Sequence, residues 1–320
     1  MKSKPNPRKC AIVGCGYVGA ATAFALMMSK LFSELVLIDV DYDKADGEAK
    51  DISHGVPFAG QMRIYAGDYH DLADASLVIV TAGANQKPGE TRIDLVHKNV
   101  AIFKSIIPQI MEHGFDGILL VVANPVDILT YAAAKISGLP ESRVIGSGTV
   151  LDTARLKSAL GQQLGVDSRS VHAFVMGEHG DSEIVAWSCA NVSGIPLRDF
   201  CAMRGYADPV EEMARIADEV KNSAYEIIAK KGATYYGIAM SVKRICECIA
   251  RDEKSILPIS TMMAGEYGIW DISLSMPAIV GAEGIETHVP IPLDGEEIAA
   301  LRHSAETLRE VASTLDLGNE

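Results

Sequence analysis

Residues 10–29, CAIVGCGYVGAATAFALMMS, carry no charge and follow the basic stretch MKSKPNPRK. Taken alone, a positive segment followed by twenty uncharged residues resembles a signal peptide or a membrane span. Gly14, Gly16 and Gly19 argue otherwise, because they divide the run into a strand-length piece and a helix-length piece, and ELVLID follows as a second strand candidate. The reading favoured here is a buried strand, a tight turn and a helix, with a secretory signal as the alternative.

Those glycines stand in the spacing GxGxxG, a weak pattern by itself. It gains weight from Asp39, which lies 20 residues after Gly19 at the end of ELVLID, where a dinucleotide fold places an acid. In such a turn the first glycine permits the sharp bend, the second lets a pyrophosphate approach the backbone, and the third lets the helix pack closely on the strand. The phosphates then rest on free N–H groups at the positive end of the helix dipole. Asp39 would accept from the ribose hydroxyls and repel a 2′-phosphate, which points to NAD rather than NADP. The competing reading is a glycine turn beside a surface aspartate.

Further along, short apolar runs alternate with helical stretches: KCAIVG, ELVLID, SLVIVTAG, GILLVVANP and RVIGSG are strand candidates, and the run from IDLVHKN to IPQIMEHG has helical periodicity. This alternation implies βαβ units and a parallel sheet. From about residue 149 the texture changes to a helix, LDTARLKSALGQQLG, strand candidates around HAFVMG, EIVAWSCANVSG, ILPISTMM and DISLSMPAIVG, long helical stretches and a terminal amphipathic helix. The expected architecture is therefore α/β. An N-terminal Rossmann-type doubly wound parallel sheet over residues 1–148 precedes a C-terminal α+β substrate domain over residues 149–320, packed closely without a flexible linker.

Composition narrows the function. The chain has 320 residues, 48% hydrophobic and 22% charged, near the average for compact globular proteins. Its formal net charge of -13 would repel a phosphate backbone or an anionic membrane, so neither nucleic acid nor membrane is expected as a partner. Cys10, Cys15, Cys189, Cys201, Cys246 and Cys248 form no paired CxxC set, so neither a metal site nor a disulfide framework is expected, and reduced thiols fit a cytoplasmic protein.

Two segments carry candidate chemistry. VMGEHGDSE, residues 175–183, sets His179 among acids and glycines after an apolar run, either as a proton carrier or as a polar residue in a turn. TVLDTARLKS places Asp152 and Arg155 three residues apart on one helical face. They form a helical salt bridge, or else Arg155 holds a substrate carboxylate through two parallel hydrogen bonds and leaves Asp152 for another partner. Between strand and helix, GANQKPGETR reads as a mobile, exposed loop at the carboxyl end of the third strand candidate, where a lid could close over a ligand; an ordinary surface loop is the alternative.

Taken together, GCGYVG, TAGANQKPGETR, VVANPVD, GSGTVLDTARLK, MGEHGDSE and KGATYYGIA resemble the bacterial-type, NAD-dependent L-lactate dehydrogenases of the lactate/malate dehydrogenase family, over nearly the whole chain. The resemblance implies reversible reduction of pyruvate to L-lactate with NADH. It makes His179 the proton donor to the carbonyl, Asp152 the partner of its other ring nitrogen, and Arg155 the anchor of the substrate carboxylate. Arg92 on the loop would swing in to polarise the carbonyl.

By the same resemblance Asn124 bonds substrate oxygen and the nicotinamide surroundings, and Thr234 lines the substrate pocket. Val18, Lys44, Tyr69, Gly83, Ala84, Ser105, Val122 and Ser147 match positions near the cofactor. Gln86 stands where oxaloacetate-reducing relatives carry arginine; a neutral side chain leaves a second substrate carboxylate unpaired and favours pyruvate. A branched 2-oxo acid, malate chemistry on the same scaffold, and a non-catalytic dinucleotide sensor stay open as alternatives. The resemblance further implies a homotetramer and activation by fructose 1,6-bisphosphate through a histidine, here His172, and an arginine position that carries Lys157. Lysine keeps the charge and loses the planar fork.

Overall fold

The structure is a computed structural model that describes residues 5–84, 89, 91–206 and 210–317, without the side chain of Arg92. The first half runs β1 (Asn6–Val13), α1 (Tyr17–Ser29), β2 (Glu34–Ile38), α2 (Tyr42–Ser53), α3 (Val56–Ala59), β3 (Arg63–Ala66), β4 (Ala75–Val80), α4 (Arg92–Glu112), β5 (Ile118–Val121), α5 (Val126–Ser137) and β6 (Val144–Gly146). The second continues with α6 (Val150–Leu164), β7 (Val171–His172), β8 (Val175–Met176), β9 (Ile184–Val185), β10 (Asn191–Val192), β11 (Ile195–Pro196) and α7 (Leu197–Met203). It ends with α8 (Val210–Lys231), α9 (Tyr236–Arg251), β12 (Ser255–Ala264), β13 (Trp270–Gly281), β14 (Gly284–His288) and α10 (Gly295–Ala312).

The uncharged run at residues 10–29 is a strand, a turn and a helix. Gly14 sits at φ +103°, and a Cβ there would meet Ala82 N at 2.5 Å. A Cβ on Gly19 would lie 1.9 Å from Gly14 O, so α1 rests directly on the backbone that leaves β1. Among the described residues no helix is long and apolar enough to cross a membrane.

Strands β3, β2, β1, β4, β5 and β6 lie side by side in that order, all parallel. Side chains alternate between two buried faces, as strands covered on both sides require. Ala11 and Val13 of β1, Val78 and Val80 of β4, and Leu119 and Val121 of β5 face one core, with Val100, Phe103 and Ile107 of α4 and Leu129 and Ala133 of α5. Cys10 and Ile12, Leu77 and Ile79, and Ile118 and Leu120 face the other, with Ala23 and Leu26 of α1 and Ala45 and Ala49 of α2.

The reversal of strand order between β1 and β4 opens a crevice beyond their carboxyl ends, where an open α/β sheet binds its ligand.

The long strands of the second half do not build a separate sheet. β12 pairs antiparallel with β6 through Ser260 and Gly146, and β13 and β14 follow, giving one sheet of nine strands. Leu301, Ala305 and Leu308 of α10 join the first core, and Val242, Ile245 and Cys246 of α9 join the second. A third core, Leu156, Leu160, Val171, Val185, Val192, Ile216 and Val220 among others, belongs to the second half alone. The expected close packing of the halves is thus a shared pair of cores. All six cysteines are free thiols.

Replacing Gly19 by alanine forces α1 away from β1, and overpacking of this kind costs about 1–3 kcal/mol. Urea denaturation of Gly19→Ala should therefore show a lowered midpoint with an unchanged slope; a midpoint equal to that of the parent would contradict the close contact.

Candidate active site

His179 lies in the turn between β8 and β9. Gly177, at φ +87°, exchanges two backbone hydrogen bonds of 2.9 Å with Ser275 of β13, which fixes where the turn begins. Two further contacts hold the turn from behind: Ser304 Oγ of α10 accepts from Glu178 N at 2.7 Å, and Ser182 Oγ donates to Glu178 Oε2 at 2.5 Å. His179 N donates to Asp127 Oδ2 at 2.7 Å.

The imidazole meets α6, whose first turn carries Asp152. His179 Nδ1 lies 2.6 Å from Asp152 Oδ2, and Arg155 Nη1 donates to Asp152 Oδ1 at 2.8 Å. The two readings of the Asp152–Arg155 spacing therefore do not exclude each other. The carboxylate has lone pairs enough for both cations, and the remaining N–H groups of Arg155 make no hydrogen bond among the described residues. With Nδ1 engaged, Nε2 is the ring nitrogen left for a substrate.

Burial would drive the imidazole towards its neutral form. The Asp152 charge and hydrogen bond, helped by Asp127 and Glu183, overcome that and lift His179 to about 9. Asp152 is buried too, yet His179 and Arg155 hold its carboxyl below the usual range. Glu183 behaves oppositely: burial and the neighbouring Asp152 charge push it up to about 8, so it is mostly protonated at neutrality. One polar atom from each of Asp152, His179 and Glu183 lies within 4.8 Å of the others, a spacing a metal ion could use. Arg155, already bound to Asp152, supplies the positive charge there instead, which disfavours a second cation.

The dinucleotide candidates gather beyond the strand ends. Gly16 is the N-cap of α1, and a Cβ on it would meet nothing within 4 Å, so the space above the helix N-terminus is open to an anion. Asp39, just past β2, accepts from Cys15 N at 2.6 Å and from Asp41 N at 3.1 Å, which braces the glycine turn while leaving lone pairs for a ribose. Tyr69 stands close enough to Asp39 that burial and that charge together raise its phenol. Val18 packs at the edge of the core under α1, and Lys44 is exposed on α2. These residues fit a bound dinucleotide.

Val122 and Ser147 lie just beyond β5 and β6, where their N–H groups donate to Val80 O and Val121 O. Gly83 and Ala84 follow β4, and Asn124 is exposed beyond β5. Ser105 is exposed on α4 and offers its carbonyl to Gln109 within the helix; no described hydrogen bond brings it to the glycine turn. Thr234, partly exposed, lies between α8 and α9, and a Cβ on neighbouring Gly237 would come within 3.0 Å of Leu151, beside Asp152.

Arg92 is not inside a loop, as the sequence suggested. Its backbone is the first residue of α4, behind an N-cap at Thr91 whose side chain and that of Asp94 form a reciprocal capping box. The side chain of Arg92, and all of Gln86, lie outside the described residues. Lys157 is half-buried on α6, where desolvation lowers its pKa, and His172 is exposed on β7, paired with Asn191 of β10.

Three participants escaped the sequence reading. Asn99, only 1% exposed in α4, accepts from Ala84 N at 2.7 Å and donates to Asn124 O at 2.7 Å, so it clamps two strand-end segments of the crevice together. Asp127 and Glu183 are the others. The signal for Asn99 was a lone amide on the apolar face of an amphipathic helix; for Asp127 and Glu183, acids beside motif residues, nothing local distinguished them from solvent-facing charges.

If Asp152 sets the charge state of His179, Asp152→Asn should bring the imidazole from about 9 towards or below 6.5. Nitrogen NMR of the ring checks this, and a titration left near 9 would show that other groups hold the proton.

Comparison with known proteins shows which family the chain resembles along its length. Residues 8–146 match the lactate/malate dehydrogenase NAD binding domain, and residues 149–315 match the lactate/malate dehydrogenase alpha/beta C-terminal domain. An L-lactate dehydrogenase of Acetivibrio thermocellus is 53% identical over 99% of this chain and 100% of its own. One from Thermoanaerobacterium saccharolyticum is 50% identical over 97% and 99%.

Among solved structures, the ligand-bound minor L-lactate dehydrogenase of Enterococcus mundtii superposes with a TM-score of 0.94 at 45% identity, covering 97% of this chain and 99% of that one. Identity at this level, end to end and across both halves, leaves no room for another scaffold: the chain belongs to the lactate/malate dehydrogenase family.

Proposed function

We propose that the protein is an NAD-dependent L-lactate dehydrogenase, interconverting pyruvate and L-lactate. One observation carries the reading: a single buried carboxylate, Asp152, joins a protonated imidazole to an arginine. A 2-oxo acid needs both, a proton donor for the carbonyl and a fixed cation for the carboxylate. When bound, NADH supplies the hydride to the carbonyl carbon.

His179 gives the Nε2 proton to the carbonyl oxygen and recovers it from the hydroxyl in the reverse direction. Arg155 orients the substrate through its free N–H groups. Glu183, held neutral, spares an anionic substrate a repulsive charge. Arg92 is assigned to the carbonyl oxygen as charge develops there; loss of such a donor typically costs ~3 kcal/mol of barrier. Asn124 and Thr234 complete the substrate pocket, and Gly14, Gly16, Val18, Gly19, Asp39, Lys44, Tyr69, Gly83, Ala84, Ser105, Val122 and Ser147 the cofactor side.

The same reading divides the chain at residue 148 into a cofactor half and a substrate half, and places the enzyme in the cytoplasm as a homotetramer. Support for self-association is the pair of exposed apolar stripes on adjoining helices, Phe24 and Met28 on α1 and Tyr236 and Met240 on α9. Lys157 and His172 are assigned to fructose 1,6-bisphosphate.

Loss of NADH absorbance on addition of pyruvate to the purified chain tests the activity; no pyruvate-dependent loss would favour a dinucleotide sensor, and a preference for oxaloacetate a malate enzyme. Repeating it with the bisphosphate, beside a measurement of assembly mass, checks activation and tetramer. Gln86→Arg should move the ratio of kcat/KM towards oxaloacetate by tenfold or more, on the order of 1.4 kcal/mol, and an unchanged ratio would overturn the role of Gln86.

A further inference from the structure

Asp127 is 2% exposed in the first turn of α5, and every hydrogen-bonding neighbour it has is a donor. Its Oδ2 accepts from His179 N at 2.7 Å, and its Oδ1 accepts from Ser260 Oγ of β12 at 2.6 Å and faces Ser275 Oγ of β13 at 3.5 Å. One carboxylate thus gathers a helix of the cofactor half, two strands of the substrate half and the turn bearing the imidazole. We infer that Asp127 is a positioning residue for the reaction, holding the His179 backbone while setting a second negative charge behind the ring. The inference rests on the proposed role of His179 as proton donor.

The alternative is a purely structural tether, and the charge distinguishes the two. Burial raises Asp127 to about 6, with the hydrogen bonds from Ser260 and His179 opposing, so the group is ionised at neutrality. The imidazole then faces Asp152, Asp127 and Glu183, with Arg155 on the far oxygen of Asp152, and Asp127 in turn faces His179 and Glu178. Removing the Asp127 charge while keeping an acceptor leaves a tether intact and weakens the hold on the proton. Asparagine does this, since its carbonyl can take His179 N–H and its amide can donate to Ser260 Oγ, a hydroxyl that also accepts.

The test uses the full chain with NADH and pyruvate between pH 5 and 10. Asp127→Asn should bind NADH like the parent and bring the alkaline fall of pyruvate reduction to lower pH by about half a unit or more. Asp127→Ala, which also frees the turn, should lose a further factor of about ten or more in kcat. An asparagine variant with parental kcat and an unmoved alkaline limb would overturn the inference.

Should the Asp127 variants fail to fold, Ser260→Ala keeps the carboxylate and removes one donor. At the pH of the alkaline limb Asp127 stays ionised in this variant, so that limb should stay at or above its parental position even if kcat falls with the loosened turn, and an alkaline limb that moves to lower pH overturns the inference. An inactive parent would instead overturn the proposed function, and ring NMR of Asp127→Asn, read without substrate, still reports whether the His179 titration falls.

Discussion

The carboxylate of Asp152 is buried, bonded on one oxygen to His179 at 2.6 Å and on the other to Arg155 at 2.8 Å. Neither cation would be comfortable at its depth without it. An imidazole so enclosed would lose its proton, and an unpaired carboxylate there would take one up. Paired, the three hold one negative and two positive charges, and with Asp127 ionised nearby the site carries no net negative charge against an anionic 2-oxo acid while presenting it Arg155 and the imidazolium proton. Raising His179 from 6.5 to about 9 corresponds to ~3 kcal/mol in favour of the imidazolium, which is enough to keep the proton in place through the neutral range.

The sheet determines where that site can be. Parallel strands end together, so Gly14–Gly16, Asp39, Gly83–Ala84, Val122–Asn124 and Ser147 all leave the sheet on one side. α6 starts directly after β6 and carries Asp152 to the rim of the same crevice. β12 and β13 extend the sheet beyond β6 and anchor the His179 turn through Ser275 and, by way of Asp127, through Ser260. The geometry thus depends on cores shared between the halves: α9 and α10, late in the chain, close over strands made early.

Sequence reading succeeded where the information is local. The glycine turn with Asp39, the five apolar parallel strands and the one-face spacing of Asp152 and Arg155 are all short-range patterns. β3, RIYA, was missed because an edge strand with partly exposed side chains has little hydrophobic signal, and β14, GIETH, because its polar alternation resembles a turn. The extension of the sheet by β12–β14 rests on one pairing 114 residues apart in sequence, Gly146 with Ser260, which no local pattern announces.

The site divides the same way. His179 and Asp152 are separated by 27 residues, and only the resemblance joined them before the fold did. Asn99, Asp127 and Glu183 gain their roles from burial next to partners on other elements, a property absent from composition or spacing.

Most directly at stake is the claim that the Asp152-bound imidazole carries the proton of the reaction. A proton donor in one direction is a proton acceptor in the other, so both directions must sense one group with opposite sign. The measurement is kcat/KM for pyruvate with NADH and for lactate with NAD+ across pH 6 to 10, in the same preparation. Pyruvate reduction should fall, and lactate oxidation rise, through one midpoint near 9. Profiles that move in the same direction, or that are both flat through that range, would contradict it.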